Sequence, residues 1–321
     1  MKEITFSQAI YEAIKEEMAQ DTRVFVMGED IAWPGNKWHG LRNAFGEDRV
    51  INTPISESAM VGAGVGAALN GLRPIIDIMF ADLLPICHDH LSNDAAKISY
   101  QYGGMLQCPL VVTASIGATG RGIGPHHSQS TESYFLNVPG LKIIMPSTPN
   151  DAKGLMKAAI RDDNPIIYLT HKRLRGMKGP VPNSEYVIPI GKADVKKQGD
   201  DVTIVATAYM LQLSLQAAET LEEEGIRCEV IDLRTLLPLD EETIISSVKK
   251  TNRLVTVQES PKTYGYGSEI AAVIAENALE FLDAPIKRIA NPGTPVPPTT
   301  ILEEAVIPSR KDIVQAIKEI V

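Results

Sequence analysis

Short β-branched runs alternate with helix-length segments from one end of the chain to the other, and this alternation restricts the fold more than any other feature. The runs VFVMG, PIIDIMF, PLVVTAS, LKIIMP and PIIYLT are continuously apolar and bounded by Pro or Gly. Strands of that kind are buried on both faces, as in parallel sheets covered by helices. Between the last two lies STPNDAKGLMKAAIRDD, read as a helix with Thr148 as cap and Pro149 in its first turn. An earlier helix is expected to open at Thr5, where Gln8 gives a capping-box pattern and Ala9, Ile10, Ala13, Ile14 and Met18 share a face. From Lys172 to Asp200 the residues are rich in Lys, Gly and Pro without a sustained period, so an extended connector is expected there. Alternation restarts with DVTIVAT, CEVIDL, RLVTVQE and IKRIA, with helices expected over 210–224, 240–250 and 267–280. A Pro-rich stretch, NPGTPVPPTT, precedes a closing helix in SRKDIVQAIKEIV. Two successive βα series give the fold class: α/β, with two open, mostly parallel sheets. The expected division is a first domain over 1–178, a connector over 179–200 and a second domain over 201–321.

The composition closes off several classes of function. With 321 residues, 44% hydrophobic and 22% charged, the chain suits two ordinary globular domains. A net charge of −9 without a Lys/Arg stripe argues against nucleic acid. No apolar run approaches the ~20 residues that span a bilayer. The opening MKEITFSQAI has neither a signal peptide's apolar core nor a transit peptide's Arg/Ser bias. Cys87, Cys108 and Cys228 are odd in number and widely spaced, which suggests neither disulfides nor zinc. A reduced, cytoplasmic protein is expected.

Open parallel sheets bind ligands beyond the carboxyl ends of their strands, so chemistry is expected in the loops that follow strands. Gly62-Ala63-Gly64-Val65-Gly66-Ala67 fits a dinucleotide fingerprint, but that motif needs a strand directly before its first glycine. Here PISESAMV precedes it, with Ser56 as a helix cap, and the glycines read as small helix residues that allow close packing. Glu57 lies in the first turn of that helix. Either it complements the helix dipole or it is a carboxylate at the rim of a buried pocket. The loop SIGATGRGIGPHHSQSTE follows a strand and carries glycines 117, 120, 122 and 124, which permit positive φ or close approach to a ligand. His126 and His127 then form either a polar surface turn or a catalytic pair, with Ser128, Gln129 and Ser130 placed to orient an imidazole. No GxSxG elbow occurs, which disfavours a serine hydrolase. In CHDH, residues two apart on a helix face opposite sides, so His88 and His90 do not share a metal.

Together GED, TPISES, LRPI, NDAAK, YGG, HSQS, PGLKIIMPSTPNDAKGLMKAAI, EVIDLRTLLPLD and DAPIKRI, in this order, resemble the β subunits of thiamine-diphosphate-dependent 2-oxo acid dehydrogenases and acetoin dehydrogenases. The resemblance runs from Ile4 to the final helix. It implies a transketolase-like pyrimidine-binding domain followed by a transketolase C-terminal domain. It also implies that thiamine diphosphate is shared with an α subunit, which supplies Mg²⁺ through a Gly-Asp-Gly motif. This chain has only the near miss QGDD at 198–201. By the resemblance, Glu57 is the carboxylate that bonds the cofactor's aminopyrimidine, and His127 handles protons during attack and acyl transfer. Glu29 and Leu83 match positions near the pyrimidine; Leu83 stands where several relatives carry an aromatic residue, which implies apolar contact. A structural K⁺ site carried across by position would use Leu110, Ala159, Ile160, Asp162 and Asn164, oxygen donors suited to a hard cation. The other reading of Asp162 and Asn164 is capping of a helix end.

The implied function is decarboxylation of a 2-oxo acid of the pyruvate type, or cleavage of acetoin, with acyl transfer to lipoamide. The implied partners are an α subunit in an α2β2 heterotetramer and the lipoyl acyltransferase core of a multienzyme complex. Two other readings stand beside it: half of a split transketolase moving two-carbon units between sugars, and a non-catalytic assembly subunit. HSQS weighs against the first, and the joint presence of Glu57 and His127 against the second.

Overall fold

The computed structural model describes residues 1–321 except Lys37. The chain forms two compact units: Met1–Ile116 with Tyr134–Thr170 and Leu174–Ile190, and Gly117–Ser133 with His171–Arg173 and Gly191–Val321.

The first unit opens with β1 (Lys2–Thr5) and α1 (Phe6–Gln20). Thr5 Oγ1 accepts the Gln8 amide at 3.1 Å, but the Gln8 side chain turns to Glu12, so half of the anticipated capping box forms. The expected apolar face is buried, joined by Phe6. There follow β2 (Val24–Glu29), α2 (His39–Phe45), β3 (Val50–Thr53), α3 (Glu57–Leu69), β4 (Arg73–Phe80), α4 (Ala96–Gln101) and β5 (Val111–Ile116). Then come β6 (Lys142–Ile144), α5 (Pro149–Arg161), β7 (Ile166–His171) and β8 (Lys178–Val181). Thr148 caps α5 as expected, accepting the Asp151 amide at 3.2 Å.

Strands of this unit lie in the order β6-β7-β5-β4-β2-β3. The β2–β3, β2–β4, β4–β5 and β6–β7 pairs are parallel. The antiparallel pair β1–β8 stands apart and takes up the start of the anticipated connector. Helix α3 runs through its glycines without a break. A Cβ on Gly64 would lie 2.9 Å from Ile76 Cγ1, and one on Gly62 3.0 Å from His90 Nε2. Close packing is therefore what these two glycines permit.

The second unit holds β9 (Asp194–Lys197), β10 (Val202–Ala206), α6 (Ala208–Glu222), β11 (Cys228–Asp232) and β12 (Thr235–Leu237). Next come α7 (Glu241–Thr251), β13 (Leu254–Pro261), α8 (Tyr266–Asn277), β14 (Lys287–Asn291), α9 (Thr300–Val306) and α10 (Arg310–Lys318). The sheet order is β14-β13-β10-β11-β9, parallel except for the edge strand β9. Val202, Ile204, Val230, Val255 and Val257 meet Leu211 and Leu221 of α6 and Ile313 and Ile317 of α10 in one core. Ala118, from the glycine loop, is buried in that same core. Helix α9, which starts at the end of the Pro-rich stretch, was not anticipated.

Candidate functional site

Parallel strands deliver three of the anticipated residues to one edge of the first unit. Glu29 is the last residue of β2 and is in register with Thr53 at the end of β3. Ser56 follows in extended backbone and Glu57 begins α3. On the other side of β2, β4 runs into a tight 3-10 turn, Ala81–Cys87, that carries Leu83 half-buried. Adjacent carboxyl ends of β3, β2 and β4 thus present Glu57, Glu29 and Leu83, where an open parallel sheet places its ligands.

Two buried carboxyls near each other set the electrostatics of this edge. Burial raises the Glu29 carboxyl above its ordinary value, and Glu57, Asp30 and Asp77 push it further up. Its Oε2 is buried with no hydrogen-bond partner among the described residues. The Cys87 thiol is pushed up to about 12 by burial, with Glu57 adding to the effect, so Cys87 is an inert packing group. Asp77 is fully committed to structure, accepting Trp38 Nε1 and Thr113 Oγ1 at 2.7 Å each. A buried carboxyl oxygen without a partner is costly unless something else bonds it. The Glu29–Glu57 edge therefore fits a ligand with nitrogen donors or a protonatable ring nitrogen.

His127 stands in the second unit, on the loop Gly117–Ser133. The stem closes where the Gly117 amide donates to Gln129 O at 3.0 Å. The tip is a turn after Gly124 and Pro125, in which the His127 amide donates to Gly124 O at 3.3 Å and Gln129 Nε2 to Pro125 O at 2.9 Å. His126 and His127 are both exposed.

Beneath the stem lies a charged cluster that sequence reading missed. His171 Nε2 is 2.7 Å from Glu259 Oε2, both groups being buried. Glu259 Oε1 accepts the Ala118 amide at 2.6 Å. Burial would raise the Glu259 carboxyl, but His171, the Ala118 amide and Arg173 outweigh it and hold it below the ordinary carboxylate range. Glu132, at the far end of the loop, goes the other way: burial, helped by Glu259, raises it despite a bond to Ser260. The signal was present in outline, since Glu259 and His171 fall at or near the carboxyl ends of β13 and β7.

The remaining positions resolve by their partners. His88 pairs with Ser92 Oγ at 3.0 Å and stacks on Phe135, whereas His90 pairs with Asp94 at 2.8 Å; the two imidazoles share no partner. The five oxygen-donor positions surround the end of α5, and their acceptors are in use. Leu110 O accepts the Ile166 amide at 2.8 Å and Ala159 O the Asp162 amide at 3.4 Å. Arg73 Nη1 donates to Ile160 O and Asp162 O at 3.0 Å each. Lys142 Nζ sits 2.5 Å from Asp162 Oδ2, and Asn164 donates to Oδ1. Among the described residues a guanidinium thus occupies the Ile160 and Asp162 carbonyls and an ammonium the Asp162 carboxylate.

Comparison with known proteins matches this architecture. Residues 2–177 match the family "Transketolase, pyrimidine binding domain" and residues 191–313 "Transketolase, C-terminal domain". A solved split-gene transketolase, described as an inactive beta4 tetramer, has a TM-score of 0.80 at 22% identity, covering 99% of this chain and 98% of that one. That likeness concerns the fold. The 2-oxoisovalerate dehydrogenase subunit beta of Bacillus subtilis is 48% identical over 302 residues, 93% of this chain and 92% of that one. The β subunit of acetoin:2,6-dichlorophenolindophenol oxidoreductase from the same organism is 42% identical, covering 99% and 97%. The pyruvate dehydrogenase E1 component subunit beta of Rickettsia felis is 43% identical, covering 99% and 98%. The chain belongs to the family of β subunits of 2-oxo acid and acetoin dehydrogenases, a family of oxidoreductase components.

Proposed function

We propose that this chain works with a separate α subunit as the β half of a thiamine-diphosphate-dependent dehydrogenase acting on a 2-oxo acid or acetoin, with the acyl group passed to lipoamide. The observation that carries the reading is the Glu29–Glu57 pair at the strand ends, with its unpartnered buried oxygen. Full-length relatives at 42–48% identity bear dehydrogenase names, which favours this reading over a split transketolase, whose likeness is at 22%.

In this reading Glu57 and Glu29 hold the aminopyrimidine and Leu83 supports it by apolar contact; the α subunit holds the diphosphate and Mg²⁺. When bound, the cofactor would supply the electron sink for breaking the bond beside the substrate carbonyl. Glu57, buried at the start of α3, would accept a strong hydrogen bond from a ring nitrogen and so bias which nitrogen carries the proton. His127, on its exposed loop, gives and takes protons at the reacting oxygen and at the lipoyl thiol. The assembly is an α2β2 heterotetramer docked on a lipoyl acyltransferase core. Three buried, unpaired cysteines suit a reducing cytoplasm, and among the described residues no helix is long and apolar enough to cross a membrane.

The test is Glu57→Gln in the complex assembled with its α chain. Turnover should fall by about 10²–10⁴-fold, the scale of a lost general acid–base group, while assembly by gel filtration is unchanged. Near-normal turnover removes Glu57 from the reaction.

A further inference from the structure

Loops with many glycines hold a catalytic side chain poorly unless something fastens their backbone, because glycine loses the most conformational freedom on ordering. The loop of His127 has positive φ at Gly117, Gly120, Gly122 and Gly124. No strand or α-helix runs through it, so apart from the Gly117–Gln129 bond and the Arg121 amide's bond to Thr119, its stem is fastened by side chains from elsewhere in the second unit. Ala118 is held on both sides, its amide by Glu259 and its carbonyl by Arg173 Nε at 3.2 Å. Gly117 O accepts Lys172 Nζ at 3.0 Å. The next fastening is the largest. Glu303 of α9, with no exposed surface, accepts the Gly120 amide on Oε1 and the Gly122 amide on Oε2 at 2.9 Å.

We infer that Glu303 is a positioning residue for His127, its carboxylate clamping the glycine loop from beneath. The inference rests on the reading of His127 given above. Two amides, two residues apart in a positive-φ run, form a concave nest that suits an anion. In this protein the anion is an internal carboxylate. Arg173 Nη2, 3.2 Å from Oε1, neutralises it, and Thr300 Oγ1 ties Gly120 O from the start of the same helix at 3.4 Å. The approach is close enough to demand glycine: a Cβ on Gly122 would lie 2.7 Å from the Thr299 Cα. His127 lies five residues beyond Gly122, and its main-chain amide donates back to Gly124 O within the same loop. The clamp on the stem thus sets where that tip stands. A bonded carboxylate is a costly group to bury, and one spent on two loop amides marks a loop whose shape matters.

The experiment compares Glu303→Gln, His127→Ala and the double variant in the assembled complex. Two rates are read, acyl transfer to lipoamide and turnover with 2,6-dichlorophenolindophenol, together with the melting temperature. A glutamine keeps the shape but sets an NH2 group against one amide donor. Loss of a charge-assisted bond of this kind corresponds to about 10–100-fold, expected here in lipoamide transfer, with dye-linked turnover changed less than about threefold. The double variant should be no worse than His127→Ala, because both changes remove the same function. Equal loss in both assays, or full additivity, overturns the inference. A second measurement stands apart from His127: trypsin on the full chain. Arg121 is exposed between the two clamped amides, and Glu303→Gln should speed cleavage there about tenfold by freeing the loop, with other cuts unchanged. An unaltered rate at Arg121 defeats the clamp whatever the activities show. Faster cleavage alongside an inert His127→Ala keeps the clamp and defeats the His127 reading instead. If Glu303→Gln does not fold, Arg173→Gln, which leaves both amide bonds, is read by the same two measurements.

Discussion

The two candidate regions, one in each unit, are built by different means. At the edge of the first unit, Glu29 and Glu57 are placed by backbone: β2 and β3 end in register with β4 running parallel beside them, and the side chains follow. In the second unit His127 is placed by side chains: carboxylates and cations reach in to fasten a loop with little backbone pairing of its own. The first design tolerates surface change, because a repeating ladder averages over many bonds. The second concentrates its order in a few charged contacts, where one substitution removes much of it.

Breaking the comparison from the loop side should have the largest effect. In Gly117→Ala, the new Cβ would lie 2.1 Å from His171 Nε2, at a φ of +81°. Left-handed strain and overpacking together cost about 2–5 kcal/mol. Urea unfolding should show that loss, with a fall in lipoamide transfer in the assembled complex; a neutral result would mean the loop is held otherwise.

An intermediate effect is expected from Glu132→Gln, which sharpens the contrast between its own carboxyl and that of Glu259. Because burial raises Glu132, the folded state keeps its proton when the unfolded chain has released it. Its contribution is therefore complete below the ordinary carboxyl pKa and declines as pH rises towards the folded value. Melts at pH 5 and pH 8 should show the variant gaining on the wild type at the higher pH, by about 2–4 °C. A difference independent of pH would show that Glu132 is ionised in the fold.

The smallest effect tests the backbone-built unit. Exchanging K⁺ for tetramethylammonium should leave the melting temperature of the wild-type chain within about 1 °C. Lys142→Met should cost about 1 kcal/mol, as for a partly exposed ion pair, and should make the melt respond to K⁺. A potassium response in the wild type would show that an ion displaces Lys142 from Asp162.

Legibility in the sequence follows the same divide. Strands β2, β4, β5, β6, β7, β10, β11, β13 and β14 and helices α1, α3, α5, α6, α7, α8 and α10 could be read, because burial of both strand faces or one helix face leaves a periodic trace. Short elements left little trace: β1, β3, α2 and α9 span 4, 4, 7 and 7 residues. Glu57 and His127 were reached through resemblance, while Glu259, Glu303, His171 and Arg173 were not reached at all. Their bonds join residues far apart in the chain, 141 positions for Ala118 and Glu259. No local pattern records such a bond. Likewise Thr5 and Gln8 looked like a reciprocal cap, yet Glu12, one turn on, was the better partner for the glutamine.

The reach of Glu303 also has a bearing on time. It lies 183 positions beyond Gly120. A ribosome adding ~5–20 residues per second needs roughly 10–40 s to cover that distance. During that interval the nascent glycine loop has no anion to close around, and its histidine has no settled address.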